Sequence, residues 1–266
     1  MQGRAPEARP IMLAPERLNR FARHIVLPEV GGAGQVALAK AHVLLVGCGG
    51  IGSPALQYLA AAGIGRLTLV DSDAVEESNL QRQTIYTAAD IGRNKAELAV
   101  DWIRRFDPAL EARAIVARLD AANVTQVLEG VDLVLDGCDN FATRLAVSDA
   151  CVRAGVPLTS AALGRFQGQV ANFAGHLPDQ SCYRCFVGDA FDADDCDTCA
   201  ADGVLGAMAG MVGSFAAMQA IRVVLAGHAA LGEPQWGQLH LFEGLAPALR
   251  SLRIARDPAC RGCGPA

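Results

Sequence analysis

The sequence predicts an α/β fold: a doubly wound, mainly parallel sheet extended on one side by mixed and antiparallel strands. Three observations carry this expectation. Short apolar runs alternate with helical runs from residue 41 to residue 160. A glycine-rich turn, Gly47-Cys-Gly-Gly-Ile-Gly52, joins the first apolar run to the first helical one. Carboxylates stand where the second and fourth apolar runs end, at Asp71 and within Asp136-Gly-Cys-Asp-Asn140.

The elements follow in order. Residues 1–16 are Pro-rich and form a flexible N-terminal segment; residues 17–266 make one domain. Ala14 to Gly34 reads as helical material followed by a turn at Gly31-Gly32, with Arg17, Arg20 and Arg23 along a solvated face. Ala41–Val46 is the first strand. Ser53 is placed to cap the helix Pro54–Ala62, which Gly63 and Gly65 end. Arg66–Val70 closes a strand–helix–strand unit on Asp71-Ser-Asp73. Ala88–Phe106 reads as helix, Ala112–Ala117 as strand, Ala122–Leu128 as helix and Asp132–Leu135 as strand. A helix over Phe141–Ala154 and a strand over Val156–Ser160 complete the alternating part. Beyond it, Gly168-Gln-Val170, Gln238–Phe242 and Leu249–Ile254 read as strands of mixed orientation, and Asp179–Asp202 as a polar loop holding four cysteines.

Composition narrows the class of function. Hydrophobic residues make up 52% and charged residues 19%, with a net charge of -5. This supports a large core and excludes a general nucleic-acid binder. The first twenty residues contain no long apolar stretch ahead of a small-residue cleavage site, which argues for a cytoplasmic protein. Gly203–Ile221 lacks charge over nineteen residues and approaches membrane-spanning length. Its Gly and Ala content, with Ser214 and Gln219, assigns it to a buried helix, so no membrane partner is expected.

Glycines at 47, 49, 50 and 52 allow a tight turn and close approach of backbone to phosphate. The following helix offers unpaired N–H groups and its positive dipole end. Asp71, 24 residues after Gly47, is placed to accept hydrogen bonds from ribose hydroxyls. A nucleotide is therefore expected, but the loop alone does not choose between NAD and ATP. Arg82, Lys95 and Asp139 favour a triphosphate. Arginine clamps phosphate oxygens, lysine offsets the charge on departing pyrophosphate, and a carboxylate holds Mg²⁺. Asp136 competes with Asp139 for that last role. On spacing alone, Arg82 and Lys95 could instead be surface residues and Asp139 a helix cap.

Nine cysteines include the pairs Cys182/Cys185, Cys196/Cys199 and Cys260/Cys263. Without a secretion signal, such pairs favour metal ligation or thiol chemistry over disulfides. Four thiolates suit tetrahedral Zn²⁺, and spacing alone lets Cys196/Cys199 replace either other pair.

Several motifs, in order, resemble the ThiF/MoeB/HesA family of E1-like enzymes. They are Arg20-Phe-Ala-Arg-His24, Gly47–Gly52, Asp71-Ser-Asp73, Ser78-Asn-Leu-Gln-Arg-Gln83, Asn94-Lys95, Cys138-Asp-Asn140, Cys182-Tyr-Arg-Cys185 and Cys260-Arg-Gly-Cys263. The resemblance runs from about residue 17 to 264. It implies a Rossmann-like core and adenylation, by ATP with Mg²⁺, of the C-terminal glycine of a small ubiquitin-like sulfur-carrier protein ending in Gly-Gly. It places Asp71 at the ribose, Asn79, Arg82 and Lys95 at the polyphosphate, Gln83 among the nucleotide-binding residues, and Asp139 at the Mg²⁺-linked catalytic carboxylate. Arg23 matches an arginine that acts in the partner's site, which implies a homodimer. Cys182, Cys185, Cys260 and Cys263 match structural zinc ligands that staple the C-terminal tail. Cys199 matches a cysteine of carrier or sulfur handling; Cys196 has no counterpart in the pattern.

Two departures stand out: Cys48 replaces an apolar loop residue, and Arg20-Phe-Ala-Arg23 lacks a Tyr-Asn pair before the second arginine. With no sulfurtransferase segment after Cys263, sulfur is expected from a separate donor protein. Among carriers, the molybdopterin-synthase small subunit is favoured over the thiamine-pathway carrier. A dinucleotide-dependent oxidoreductase would explain the glycine loop and Asp71 but leave Arg82, Lys95 and the cysteine pairs without joint purpose. An inactive carrier-binding scaffold would not need the full set of charges.

Overall fold

His42-Val-Leu-Leu-Val46 is buried along its whole length, which requires cover on both faces of the strand. Val43 and Leu45 enter one apolar cluster, while Leu44 and Val46 enter the other. The two-residue period of a strand thus divides this apolar run between two helical layers. The structure is a computed structural model that describes residues 13–188, 203–231 and 233–264.

The strands are β1 (His42–Val46), β2 (Arg66–Val70), β3 (Glu111–Ile115), β4 (Leu133–Asp136), β5 (Leu158–Leu163), β6 (Gln167–Phe173), β7 (Gln238–Glu243) and β8 (Ala248–Arg253). They form one sheet in the order β3-β2-β1-β4-β5-β6-β7-β8. The pairs from β3 to β5 are parallel, and those from β5 to β8 are antiparallel. The doubly wound, mixed sheet read from the sequence is therefore present. Strand order reverses between β1 and β4, so their carboxyl ends open onto a switch-point crevice.

The helices are α1 (Pro15–Arg20), α2 (Ala22–Ile25), α3 (Gly31–Lys40), α4 (Gly52–Ala62), α5 (Lys95–Phe106), α6 (Val124–Val127), α7 (Phe141–Ala154), α8 (Tyr183–Val187) and α9 (Gly206–Leu225). Residues of α3, α4, α5 and α9 pack in the first cluster; those of α6, α7 and α8 pack in the second. Helix α9 lies on α4, β5 and β6. Its approach to α4 depends on Gly213, where a methyl would come within 2.4 Å of the Ile51 carbonyl. It is long and apolar enough to cross a membrane, but 50% of that stretch is buried inside the fold.

Four local expectations are corrected. The turn placed at Gly31-Gly32 lies instead at residues 26–30, and Gly31 starts α3. Helix propensity there is poor, and packing against α2 and α9 overrides it. The helix expected from Ala88 begins at Lys95, because the Asn94 side chain accepts the Glu97 N–H at 3.1 Å and caps it there. Thr87 and Asp90 close a separate short turn. Ser53 does not cap α4; Ile51 holds the cap position, and the buried Ser53 hydroxyl has no partner. The segment expected as loop from Asp179 contains helix α8 at Tyr183–Val187.

Candidate functional site

The turn after β1 is fixed from three sides. Gly47 adopts φ +85° and donates its N–H to Val70 O at 2.8 Å. The Cys48 N–H donates to the Asp71 carboxylate at 2.7 Å, and the single Tyr86 hydroxyl proton is shared between the Cys48 carbonyl at 2.9 Å and the Lys95 carbonyl at 3.1 Å. Gly52 has no room for a side chain, since a methyl would lie 1.9 Å from Gly47 O. The loop is thus a rigid strand-to-helix turn, and α4 begins without a side-chain cap. Its leading N–H groups form the arrangement that favours an anion. The Cys48 side chain is fully buried, and burial with the nearby Asp71 pushes its thiol well above the usual range. It packs the turn, as expected of a small apolar substitute.

Asp71 also accepts the Asp73 N–H at 2.8 Å, so its carboxylate organises the turn as well as lining the cavity. Burial pushes its carboxyl above the ordinary aspartate value, against the pull of its two backbone donors and Lys95. Lys95, the first residue of α5, is buried and pairs with Asp73 at 3.2 Å. Arg82 is half-buried, donates to the Ser78 carbonyl at 2.9 Å and lies beside Gly50. Asn79 and Gln83 are buried in the same wall, each with an amide oxygen lacking a hydrogen-bond partner.

The two competing carboxylates after β4 are placed differently. Asp136 is 1% exposed, accepts the Cys138 N–H at 3.0 Å and faces Arg144 at 3.6 Å. Asp139 is exposed and lines the cavity. Helix α7 is capped by Asn140, which accepts the Thr143 N–H at 2.9 Å, so Asp139 is not its cap. Together Gly47, Gly49, Gly50, Asp71, Asn79, Arg82, Gln83, Lys95 and Asp139 line one cavity of about 860 Å³ at the switch point. That volume suits a bound nucleotide. Arg118, Arg144 and Tyr183 line it too and were missed in the sequence. Arg118 follows the third strand at the same sheet edge, which was an available signal; Arg144 shares its helix with Asp149 and Arg153, and its spacing does not set it apart from them. Arg23 is exposed on α2 and does not line this cavity. Cys196 and Cys199 lie outside the described residues.

Cys182, Cys185, Cys260 and Cys263 come together, with all four sulfurs within 4.8 Å of one another. Sulfur–sulfur separations are 3.9 Å for Cys182–Cys185, 3.6 Å for Cys182–Cys260 and 3.4 Å for Cys185–Cys263. A tetrahedral zinc with bonds of ~2.3 Å spaces its sulfurs by about 3.8 Å, so the cluster fits that ion. The Asp257 N–H points to Cys185 Sγ at 3.5 Å, a donor that would temper thiolate charge. The contact joins the start of α8 to the C-terminal tail.

Fold and site together define a nucleotide-binding α/β protein with a four-cysteine cluster. The pattern of the ThiF family matches residues 21–262, and the chain belongs to that family. The Thermus thermophilus sulfur carrier protein adenylyltransferase is 41% identical, over 94% of this chain and 92% of its own. The Haloferax volcanii SAMP-activating enzyme E1 is 39% identical, over 96% and 92%. The Salmonella typhimurium molybdopterin-synthase adenylyltransferase is 38% identical, over 95% and 98%. The family and these relatives make the chain an adenylyltransferase. Among solved structures, Escherichia coli MccB with AMPCPP and MccA aligns at a TM-score of 0.77 and 22% identity, over 92% of this chain and 74% of its own. That likeness establishes the shared fold.

Proposed function

We propose that the protein uses ATP to adenylate the C-terminal glycine of a small ubiquitin-like sulfur-carrier protein, ahead of thiocarboxylate formation. The observation that carries this reading is the convergence of Arg82, Lys95, Asn79, Gln83 and Asp139 on the cavity beside the glycine turn. A dinucleotide enzyme has no need of that set. The names of the near full-length relatives, a sulfur carrier protein adenylyltransferase among them, support the carrier as substrate.

A carboxylate is already nucleophilic at neutral pH, so the step needs no strong general base. Its oxygen attacks the α-phosphorus, the bond to the β-phosphate breaks, and pyrophosphate leaves. The obstacle is repulsion between anions, which cations and fixed dipoles reduce. The α4 N-terminus and the glycine turn meet the phosphates, Asp71 the ribose, and Arg82 and Lys95 the departing charge. Asp139 would hold Mg²⁺, which supplies charge neutralisation when bound. Arg23 would reach the site of a second copy in a homodimer. A second cavity of about 470 Å³ shares Ala162, Leu163 and Gln169 with the first and runs on between Gln167, Glu243 and Arg250. It offers an open path for an extended C-terminal segment. Zinc would sit on the four clustered thiolates, and Cys199 would serve a later carrier or sulfur-handling step, with sulfur from a separate protein.

We propose the molybdopterin-synthase small subunit as the carrier, supported by the near full-length match to the Salmonella relative. The test is ATP–pyrophosphate exchange with purified carriers of the molybdopterin, thiamine and other sulfur pathways. Exchange should require a carrier, collapse in Asp139→Asn and persist in Cys199→Ala. Exchange indifferent to Asp139→Asn would remove the metal-positioning role; no exchange with any carrier would remove the whole reading.

A further inference from the structure

Arg144 projects from α7 into the interior, with 6% of its surface exposed. Burying a guanidinium is costly, so apolar packing alone does not account for it. Its partners do. Nη1 donates to Ser160 Oγ at 3.2 Å and faces Asp136 Oδ2 at 3.6 Å, and Nη2 donates to the carbonyls of Ala161, at 2.8 Å, and of Cys138. Burial works against the charge, and the neighbouring Asp136 favours it, leaving the group firmly protonated. Asp136 in turn accepts the Cys138 N–H at 3.0 Å. Both polar backbone groups of Cys138 are therefore held, one by Asp136 and the other by Arg144. The next residue is Asp139, which projects to the nucleotide cavity.

The guanidinium has a further neighbour. The Tyr183 side chain lies against it and also lines the cavity. Tyr183 immediately follows Cys182 and precedes Cys185, so it belongs to the short helix that presents two of the clustered thiols. Its ring packs edge-on to Phe173 at 5.8 Å and at 6.3 Å from Phe141, which ends the Asp139 loop.

We infer that Arg144 is a positioning residue of the nucleotide site: it fixes the Asp136–Asn140 loop so that Asp139 faces the cavity, and Tyr183 braces it from the cysteine-bearing helix α8. The four-cysteine cluster is then mechanically connected to the adenylation site rather than a remote staple. The inference rests on the adenylation reading, because it assigns Asp139 a task there.

Carrier-dependent ATP–pyrophosphate exchange, measured against Mg²⁺ concentration, separates positioning from simple stability. Arg144→Gln should lower kcat by about tenfold or more and raise the Mg²⁺ needed for half-maximal rate by about fivefold, while the ATP KM shifts by less than about twofold. Arg144→Lys, which keeps the charge, should recover part of both losses. Tyr183→Phe keeps the ring and the thiols; it should retain metal content and move the Mg²⁺ requirement in the same direction by about twofold. If Arg144→Gln does not fold, the lysine and phenylalanine variants carry the test. Variants that melt earlier but keep the wild-type kcat and Mg²⁺ dependence would overturn the inference. Absence of exchange in the wild type would instead overturn the adenylation reading beneath it.

Discussion

Replacing Gly52 with alanine tests whether the turn after β1 is the phosphate cradle. The new methyl would start 1.9 Å from Gly47 O and 2.8 Å from Gly47 C. Carbon–oxygen contacts in proteins settle near ~3.3 Å, so the loop and the first turn of α4 must separate by roughly 1.4 Å. The loop has little freedom to yield. Gly47 N–H is bonded to β2, Cys48 N–H to Asp71, and the Cys48 carbonyl to Tyr86. Overpacking of this kind costs about 1–3 kcal/mol. At ~2–4 °C per kcal/mol, the Tm should fall by about 2–12 °C. A displacement of ~1 Å at positioned groups costs on the order of 100-fold in rate, and exchange activity should fall by that much. Gly32→Ala and Gly210→Ala are the controls: neither lines the cavity, and no atom stands within 4 Å of where the new methyl would go. Calorimetric melting, titration with a non-hydrolysable ATP analogue and exchange kinetics read all three variants. Wild-type nucleotide affinity in Gly52→Ala, or equal damage in Gly210→Ala, would refute the reasoning.

Further outcomes follow from other parts of the structure. Asn172→Leu should destabilise the protein by at least about 2 kcal/mol in urea denaturation, because buried groups left without partners cost ~1–3 kcal/mol each. It strands Thr159 Oγ1, Gln219 Oε1 and the Pro234 carbonyl, now bonded to Asn172 at 2.8, 3.2 and 2.7 Å. The Asp71 carboxyl titrates above its unfolded value, so its contribution is fully present below the unfolded pKa and is lost as pH rises through the folded one. Melting of Asp71→Asn relative to wild type should therefore improve as pH rises from about 4 towards neutrality; the reverse trend would contradict the assigned shift. Cys263→Ser should reduce zinc content per chain and lower the Tm, and chelation should bring the wild type to a similar Tm. A Tm indifferent to metal removal would exclude a structural zinc.

Much of this was legible in the sequence, for identifiable reasons. β1 and β4 are short apolar runs covered on both faces, so composition alone reveals them. The glycine turn and the cysteine spacings are local constraints, and local constraints survive translation into sequence. Helix α3 was hidden because Gly31-Gly32 carries the signature of a turn, while the forces that order it come from α2 and α9. The start of α5 was misplaced because helix-forming residues precede Asn94, and only the cap geometry shows where the helix begins. Asp136 and Asp139 could not be told apart from spacing. Their difference is tertiary: Asp136 meets a guanidinium supplied by the next helix, while Asp139 meets the cavity. Arg144 and Tyr183 were missed for the same reason, since nothing in their immediate sequence shows what they touch.

The ion pair between Lys95 and Asp73 links these placements to the reaction. The lysine side chain is 8% exposed and the aspartate side chain 63%. A pair with one solvated partner is held weakly, because water readily replaces the lysine at the aspartate. The lysine has no such alternative, since it is anchored at the start of α5 within the cavity wall. Asp73 thus offsets the buried charge while the cavity holds water, and it can turn to solvent when a more negative partner enters. On the adenylation reading that partner is the triphosphate, which brings several charges and meets the glycine turn at the same time. On that reading the exchange would preserve a counter-charge for Lys95 throughout and leave the cation available where pyrophosphate departs. Asp73→Asn should accordingly leave Lys95 underpaired in the empty site and sharpen its preference for polyphosphate, whereas Lys95→Ala should remove the charge on which departure depends.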